Sequence, residues 1–204
     1  MYKKPIIVFE GIECSGKSHH VSKVSRYFDK KNISYIKIRE PGGSLNSEKI
    51  RKLILNQKSN FNVKTDLLLY MAARNENIIK IKKYHKKKII LIDRFKDSTI
   101  AYQHYGMGIN LDFINFLNRF LLKNIKVDFT FLNIVNKKNL RERLKKRKKL
   151  NRYDKFHINF YDKAQKGFLK IAKSNKKFYN IIDSNLDIKY NEKLVISKID
   201  KLIK

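Results

Sequence analysis

The chain predicts a doubly wound α/β fold, a parallel five-stranded sheet with helices on both faces. Three observations point there. Apolar, β-branched runs alternate with helical apolar spacing along the 204 residues, the pattern of strand–helix–strand units. Ile89-Ile90-Leu91-Ile92 is apolar without alternation, as a strand covered on both faces must be. Gly11-Ile12-Glu13-Cys14-Ser15-Gly16-Lys17-Ser18 fits G-x-x-x-x-G-K-[ST], with a strand-like run before it and a helical one after it.

The elements follow in order. Pro5-Ile6-Ile7-Val8-Phe9 reads as the first strand, residues 5–9. Val21, Val24 and Phe28 recur at helical spacing and predict a helix over 17–31. A second strand is expected at 34–38, then helices at 47–56 and 65–85. The third strand, 88–92, precedes helices at 97–105 and 112–122. A fourth strand at 127–132 and a helix at 137–146 come next. A helix at 156–173, a fifth strand at 178–182 and a last helix at 191–203 complete the chain. Ligands of such sheets bind at the carboxyl ends of the strands. No internal repeat or Pro/Gly/Ser linker interrupts the pattern, so one domain over residues 1–204 is expected.

Composition sets further bounds. No apolar run approaches bilayer length. A single cysteine forms no internal disulfide, and Met1-Tyr2-Lys3-Lys4 leads straight into a strand-like run, so a cytoplasmic chain is expected. Lys+Arg 48 against Asp+Glu 18 gives a net charge of +30. Such a balance attracts nucleotides and nucleic acid. The plainer source is codon bias: lysine, asparagine and isoleucine are abundant, and the lysines are spread along the chain. The cluster 80–88 reads as a solvated helix end, lacking interleaved aromatics except Tyr84.

The glycine loop supplies the first chemistry. Backbone N–H groups converge on an anion, the helix dipole adds positive potential, and Lys17 adds a full charge. Ser18 offers a hydroxyl to a phosphate-bound Mg²⁺. After the second strand comes Arg39-Glu40-Pro41-Gly42-Gly43-Ser44, either a site turn beside this cradle or an ordinary turn with a surface ion pair. After the third strand comes Asp93-Arg94-Phe95, then Ser98-Thr99-Ile100-Ala101-Tyr102-Gln103. Asp93 can reach a metal's water shell, and Arg94 can grip a second phosphate. Ser98 and Tyr102, and likewise Tyr70 and Arg74, stand i and i+4 and share a helix face. Such faces line base pockets, though each pair alone also suits ordinary packing.

Together these motifs resemble the thymidylate kinase family: a phosphate loop in an F-E-G-I-E run, R-E-P-G-G, A-A-R, and D-R-F with S-T-x-A-Y-Q. The resemblance covers nearly the whole chain. It implies a P-loop NTPase-like fold, transfer of the γ-phosphoryl group of ATP to dTMP with Mg²⁺, and a homodimer. It places Gly11, Ile12, Glu13, Cys14, Ser15, Gly16, Lys17, Ser18 and His19 around ATP, with Ser18 and Asp93 near the metal. It places Glu13, Arg39, Pro41, Tyr70, Arg74, Arg94, Ser98, Tyr102 and Gln103 around dTMP. Arg39 and Arg94 match the acceptor-phosphate pair, Tyr70 the residue stacked on thymine, and Arg74 the reader of the base edge.

Departures are informative. His19 stands where a hydroxyl residue is usual, and Phe95 where tyrosine is. His104-Tyr105 intervene before Gly106-Met107-Gly108. Cys14 occupies the loop position where some relatives carry arginine. The charge-stabilising arginine is therefore expected from a basic lid over about 143–154, with Arg152 and Arg147 foremost, ahead of Lys145. Asp183-Ser184-Asn185 is a candidate adenine contact, and Cys14 is expected to favour its thiolate beside the helix N-terminus. Two rivals differ in chemistry. A deoxynucleoside kinase would need a general base, for which Glu40 is available. A non-catalytic nucleic-acid-binding protein would explain the charge but not the paired side chains.

Overall fold

A computed structural model describes residues 4–204. Five parallel strands form one sheet in the order β2-β3-β1-β4-β5. They are β1 (Ile6–Gly11), β2 (Tyr35–Arg39), β3 (Ile89–Asp93), β4 (Phe129–Ile134) and β5 (Tyr179–Asp183). The strand order reverses direction at β1, which lies between β3 and β4. A crevice opens at such a switch point, beyond the carboxyl ends of the strands.

Alternation along β1 explains the two layers. Ile7 and Phe9 face α1 (Lys17–Lys30) and α8 (Ile188–Ile203), packing with Val21, Val24, Phe28, Val195 and Ile199. Ile6 and Val8 face the other way, onto Ile78 and Ile81 of α3 (Val63–Tyr84) and Leu122 of α5 (Leu111–Leu122). A third cluster joins Tyr102 and Ala101 to Tyr161, Ala164 and Phe168 of α7 (Ile158–Ser174). The remaining helices are α2 (Leu45–Leu55), α4 (Lys96–Thr99) and α6 (Lys137–Lys145). None of the described helices is long and apolar enough to cross a membrane.

Element types agree with the sequence reading, and the boundaries move for local reasons. β4 begins later than expected because Asp128 caps the neighbouring strand, accepting from the Ile6 N–H at 2.8 Å. Helix α8 begins earlier, where Asp187 accepts from the Tyr190 N–H at 2.8 Å. The helix expected over 97–105 is the main correction. It divides into the short α4 and a π-helix, Ile100–Gly106. The wide turn is packed against α7 through two glycines. A Cβ on Gly106 would lie 2.6 Å from the Phe160 ring, and one on Gly167 would lie 2.4 Å from the Tyr105 ring. π-Turns of this kind recur at functional sites, and this one carries Tyr102 and Gln103.

Gly11 ends β1 at φ 139, and a Cβ there would sit 2.2 Å from the Asn133 carbonyl oxygen on β4. Gly11→Ala is therefore expected to destabilise the fold by about 2–4 kcal/mol, measured by urea unfolding. A loss below about 0.5 kcal/mol would show that the β1–β4 contact gives way freely.

Candidate active site

The phosphate loop joins β1 to α1 through two left-handed residues, Cys14 at φ 54 and Gly16 at φ 88. Ile12 is buried beneath it. The Lys17 ammonium folds back onto the loop, donating to the Ile12 carbonyl at 2.6 Å and to Ser15 Oγ at 3.4 Å. Burial, reinforced by the charge of Arg94, lowers its pKa to about 8. Ser184, after β5, donates its hydroxyl to the Ser15 carbonyl at 2.6 Å and locks the loop to the sheet's far side. His19 turns toward α8, its Nε2 2.8 Å from Glu192. Burial pushes the Cys14 thiol up, with Arg147 opposing. The expectation of a favoured thiolate is thereby overturned: loss of solvation outweighs the nearby cations.

The end of β3 meets this loop from the side. Ser18 donates to Asp93 Oδ2 at 2.7 Å, which brings the two expected metal-side residues together. A divalent cation there would draw a hydroxyl and a carboxylate from the protein and its other ligands from phosphate and water, as Mg²⁺ does. Arg94 adopts φ 67. Its guanidinium donates to the Gly11 carbonyl at 2.7 Å and to Glu13 Oε1 at 3.0 Å. Tyr102 donates to the other oxygen of Glu13, and the Arg94 cation lies 5.2 Å from the Tyr102 ring centre. Burial works against the Arg94 charge, but Tyr102, Glu13 and Asp93 more than offset it and raise its pKa.

Sequence reasoning missed Glu10, which holds this turn from below. Fully buried, it accepts from the Phe95 N–H at 2.8 Å, the Ser98 N–H at 3.2 Å and the Ser98 hydroxyl at 2.5 Å. Burial, with neighbouring Asp97, pushes its carboxyl up to about 7.

A cavity of about 800 Å³ runs along the strand ends, and most of the expected residues line it. At one end stand Arg39, Glu40, Pro41, Tyr70, Arg74, Ser98, Tyr102 and Gln103. Arg39 is half exposed and pairs with Glu48 at 3.0 Å. The Glu40–Pro41 peptide is cis. Arg74 is buried and held by Glu40 at 2.8 Å, Asn118 at 2.7 Å and Thr99 at 2.9 Å. It is thus neither a surface arginine nor a free one. Glu40 has one oxygen on Arg74 and the other buried without a hydrogen-bond partner, and burial raises its pKa against the pull of Arg74. Arg51 was also missed: it lines the cavity and donates to the Pro41 carbonyl at 2.6 Å. Its signal was its spacing, four after Ser47 and three before Ile54, both on the buried face of α2.

At the other end stand Lys17, Ser18, Ser184, Leu186, Ile188 and Asn191. The lid approaches from above. Arg143 bridges the Cys14 carbonyl at 3.0 Å and the Ser184 carbonyl at 2.6 Å. Arg147 lines the cavity and pairs with Asp154. Arg152 does not line it, contrary to its expected leading role. Its guanidinium is drawn away by Asp66 on α3.

A phosphate loop at a switch point, a Ser–Asp pair beside it and cationic groups at both ends of one cavity define a P-loop nucleotide-binding fold with room for two phosphate-bearing ligands. The thymidylate kinase family model matches residues 9–195. A thymidylate kinase of Thermosipho africanus is 38% identical over 89% of this chain and 90% of its own. One of Mycoplasma capricolum is 35% identical over 95% of each. The crystal structure of thymidylate kinase from Ehrlichia chaffeensis superposes with a TM-score of 0.78 at 32% identity, covering 97% of this chain and 98% of that one. The chain belongs to the thymidylate kinase family.

The raised Glu10 pKa carries a stability consequence. Its unfolded value is 4.5 and its folded value about 7, so the stability it contributes is complete below the lower value and lost as pH rises through the upper. Glu10→Gln keeps an acceptor without the charge. Between pH 5 and pH 8 the variant is expected to gain about 2–3 kcal/mol relative to the unsubstituted protein in urea unfolding. Parallel pH dependence in the two proteins would refute this.

Proposed function

We propose that this protein transfers the γ-phosphoryl group of ATP to dTMP, forming dTDP and ADP. The observation that carries the reading is the single cavity with a phosphate loop toward one end and Arg39, Arg51 and Arg94 toward the other. A neutral nucleoside would not call for that second cationic group. The related thymidylate kinases, 33% and 36% identical over more than nine-tenths of the chain, agree with it.

The residues divide the work. Lys17 and the loop N–H groups cradle the donor phosphates. Ser18 and Asp93 would hold the Mg²⁺ of the nucleotide, which neutralises charge on the β and γ oxygens when bound. Arg94, with Arg39 and Arg51, orients the acceptor phosphate. An oxygen of that phosphate attacks the γ phosphorus, and the bond to the bridging oxygen of ADP breaks. The acceptor is already largely dianionic at neutral pH, its second pKa being about 6, so no strong base is required. Tyr70 packs the base and Arg74 backs its edge. Arg147 and Arg143 supply lid charge, in place of Arg152. The chain works as one kinase domain with its lid near residues 143–154.

The protein also acts as a homodimer in this reading. Phe113, Phe116 and Phe120 on α5 are 44%, 56% and 64% exposed at i, i+3 and i+7. Leu68 and Ile79 on adjacent α3 are exposed as well. A second copy covering this apolar face removes it from water.

An ADP-release assay with Mg-ATP and dTMP, dUMP, dGMP, UMP or thymidine tests the activity. The highest kcat/KM is expected for dTMP, and preference for thymidine would overturn the proposal. Arg94→Ala should lower kcat/KM for dTMP by about a hundredfold or more, and Arg147→Ala should lower kcat by about tenfold or more. Sedimentation should give a dimer that Phe116→Glu converts to monomer. A wild-type monomer at micromolar concentration would exclude the dimer.

A further inference from the structure

The lid is built into the wall of the acceptor pocket, and one buried carboxylate does the joining. Asp66 lies in the first turn of α3, one turn before Tyr70, and is 2% exposed. Both its oxygens are taken by the lid. Oδ1 accepts from Arg152 Nη2, and Oδ2 accepts from the Tyr153 hydroxyl. These partners head the 3₁₀ turn Arg152–Lys155, which Asn151 and Asp154 close by a capping box.

Tyr153 is the piece this anchors. It is 2% exposed although it belongs to the lid. Its ring stands edge-on to Tyr70 at 6.0 Å and lies 5.8 Å from Tyr102. Its hydroxyl accepts from Gln103 Nε2 at 3.3 Å, and its carbonyl accepts from the Tyr161 hydroxyl at 2.5 Å. Tyr70, Tyr102, Gln103 and Tyr153 all line the cavity, whereas Asp66 lies behind them. Arg152 has few alternatives: its Nε is buried without a partner, and its cation sits 5.7 Å from the Phe61 ring centre.

Resting on the proposed dTMP reaction, we infer that Asp66 is a positioning residue that holds lid residue Tyr153 in the acceptor pocket, so that acceptor binding and lid seating are one equilibrium. Freeing Asp66 from either partner leaves a buried charge or donor uncompensated. The turn then leaves α3 and withdraws Tyr153 from the ring cluster. A nucleotide that needs that wall must first restore it, and binding weakens accordingly. The donor end has its own ties to the lid through Arg143 and does not share the effect.

Two measurements separate this inference from the reaction itself. Without nucleotide, trypsin cleavage within Lys145–Lys149, which is exposed, should quicken about fivefold or more in Asp66→Asn. In steady state, Asp66→Asn should raise KM for dTMP about tenfold while KM for ATP stays within about twofold. Tyr153→Phe removes one of the two anchoring bonds and should move both readouts the same way, which keeps the test open if Asp66→Asn folds poorly. Unchanged cleavage, or equal rises in both KM values, would overturn the inference. Wild-type enzyme inactive on dTMP would instead overturn the reaction, and the cleavage rates would still report on the anchor.

Discussion

The Arg94 guanidinium binds two strand ends into one site. Its backbone is left-handed, a conformation that costs a non-glycine residue free energy and persists only where its surroundings enforce it. Three neighbours do so. The Gly11 carbonyl and Glu13 hold the side chain, and Glu10 holds the N–H groups that follow it. Gly11 and Glu13 belong to the phosphate loop, so the acceptor-side arginine and the donor-side loop share hydrogen bonds. Neither end of the cavity can shift without the other.

That coupling suits the electrostatic problem. Two polyanions must meet, and fixed cations are more effective than mobile ones because they need no reorganisation when charge develops. Two of the cavity's arginines are restrained by acids: buried Glu40 holds Arg74 and partly buried Glu13 holds Arg94. Behind the cavity, buried Asp66 holds Arg152 of the lid in the same way. Of the net charge of +30, little lies within the site. The many surface lysines raise the general attraction for anions, while a few paired arginines decide where an anion stops.

Local patterns made much of this legible in the sequence. The phosphate loop, the residues that end β2 and β3, and the i, i+4 pairs Ser98/Tyr102 and Tyr70/Arg74 all declare themselves within a few residues of chain. What stayed hidden depends on contacts across the fold. Glu10 reads as one more strand residue until β3 is laid beside β1. The turn of Arg152 away from the cavity is decided by Asp66 on another helix. The π-helix rests on Gly106 and Gly167 meeting rings from opposite elements, and Arg51 announced itself only as a polar residue on a buried stripe. The thiol of Cys14 was misjudged because a helix N-terminus is visible in sequence and desolvation is not.

The folded-back Lys17 has a consequence for how nucleotide binding responds to solution conditions. With its pKa lowered to about 8, a substantial share of the free protein carries this lysine uncharged in mildly alkaline solution. Triphosphate oxygens arriving in the loop favour the ammonium form. Loading the site is then accompanied by proton uptake, and affinity declines as hydroxide rises through that range. The observed heat of binding will depend on the ionisation enthalpy of the buffer. The loop thus behaves as a joint receptor for phosphate and hydrogen ion.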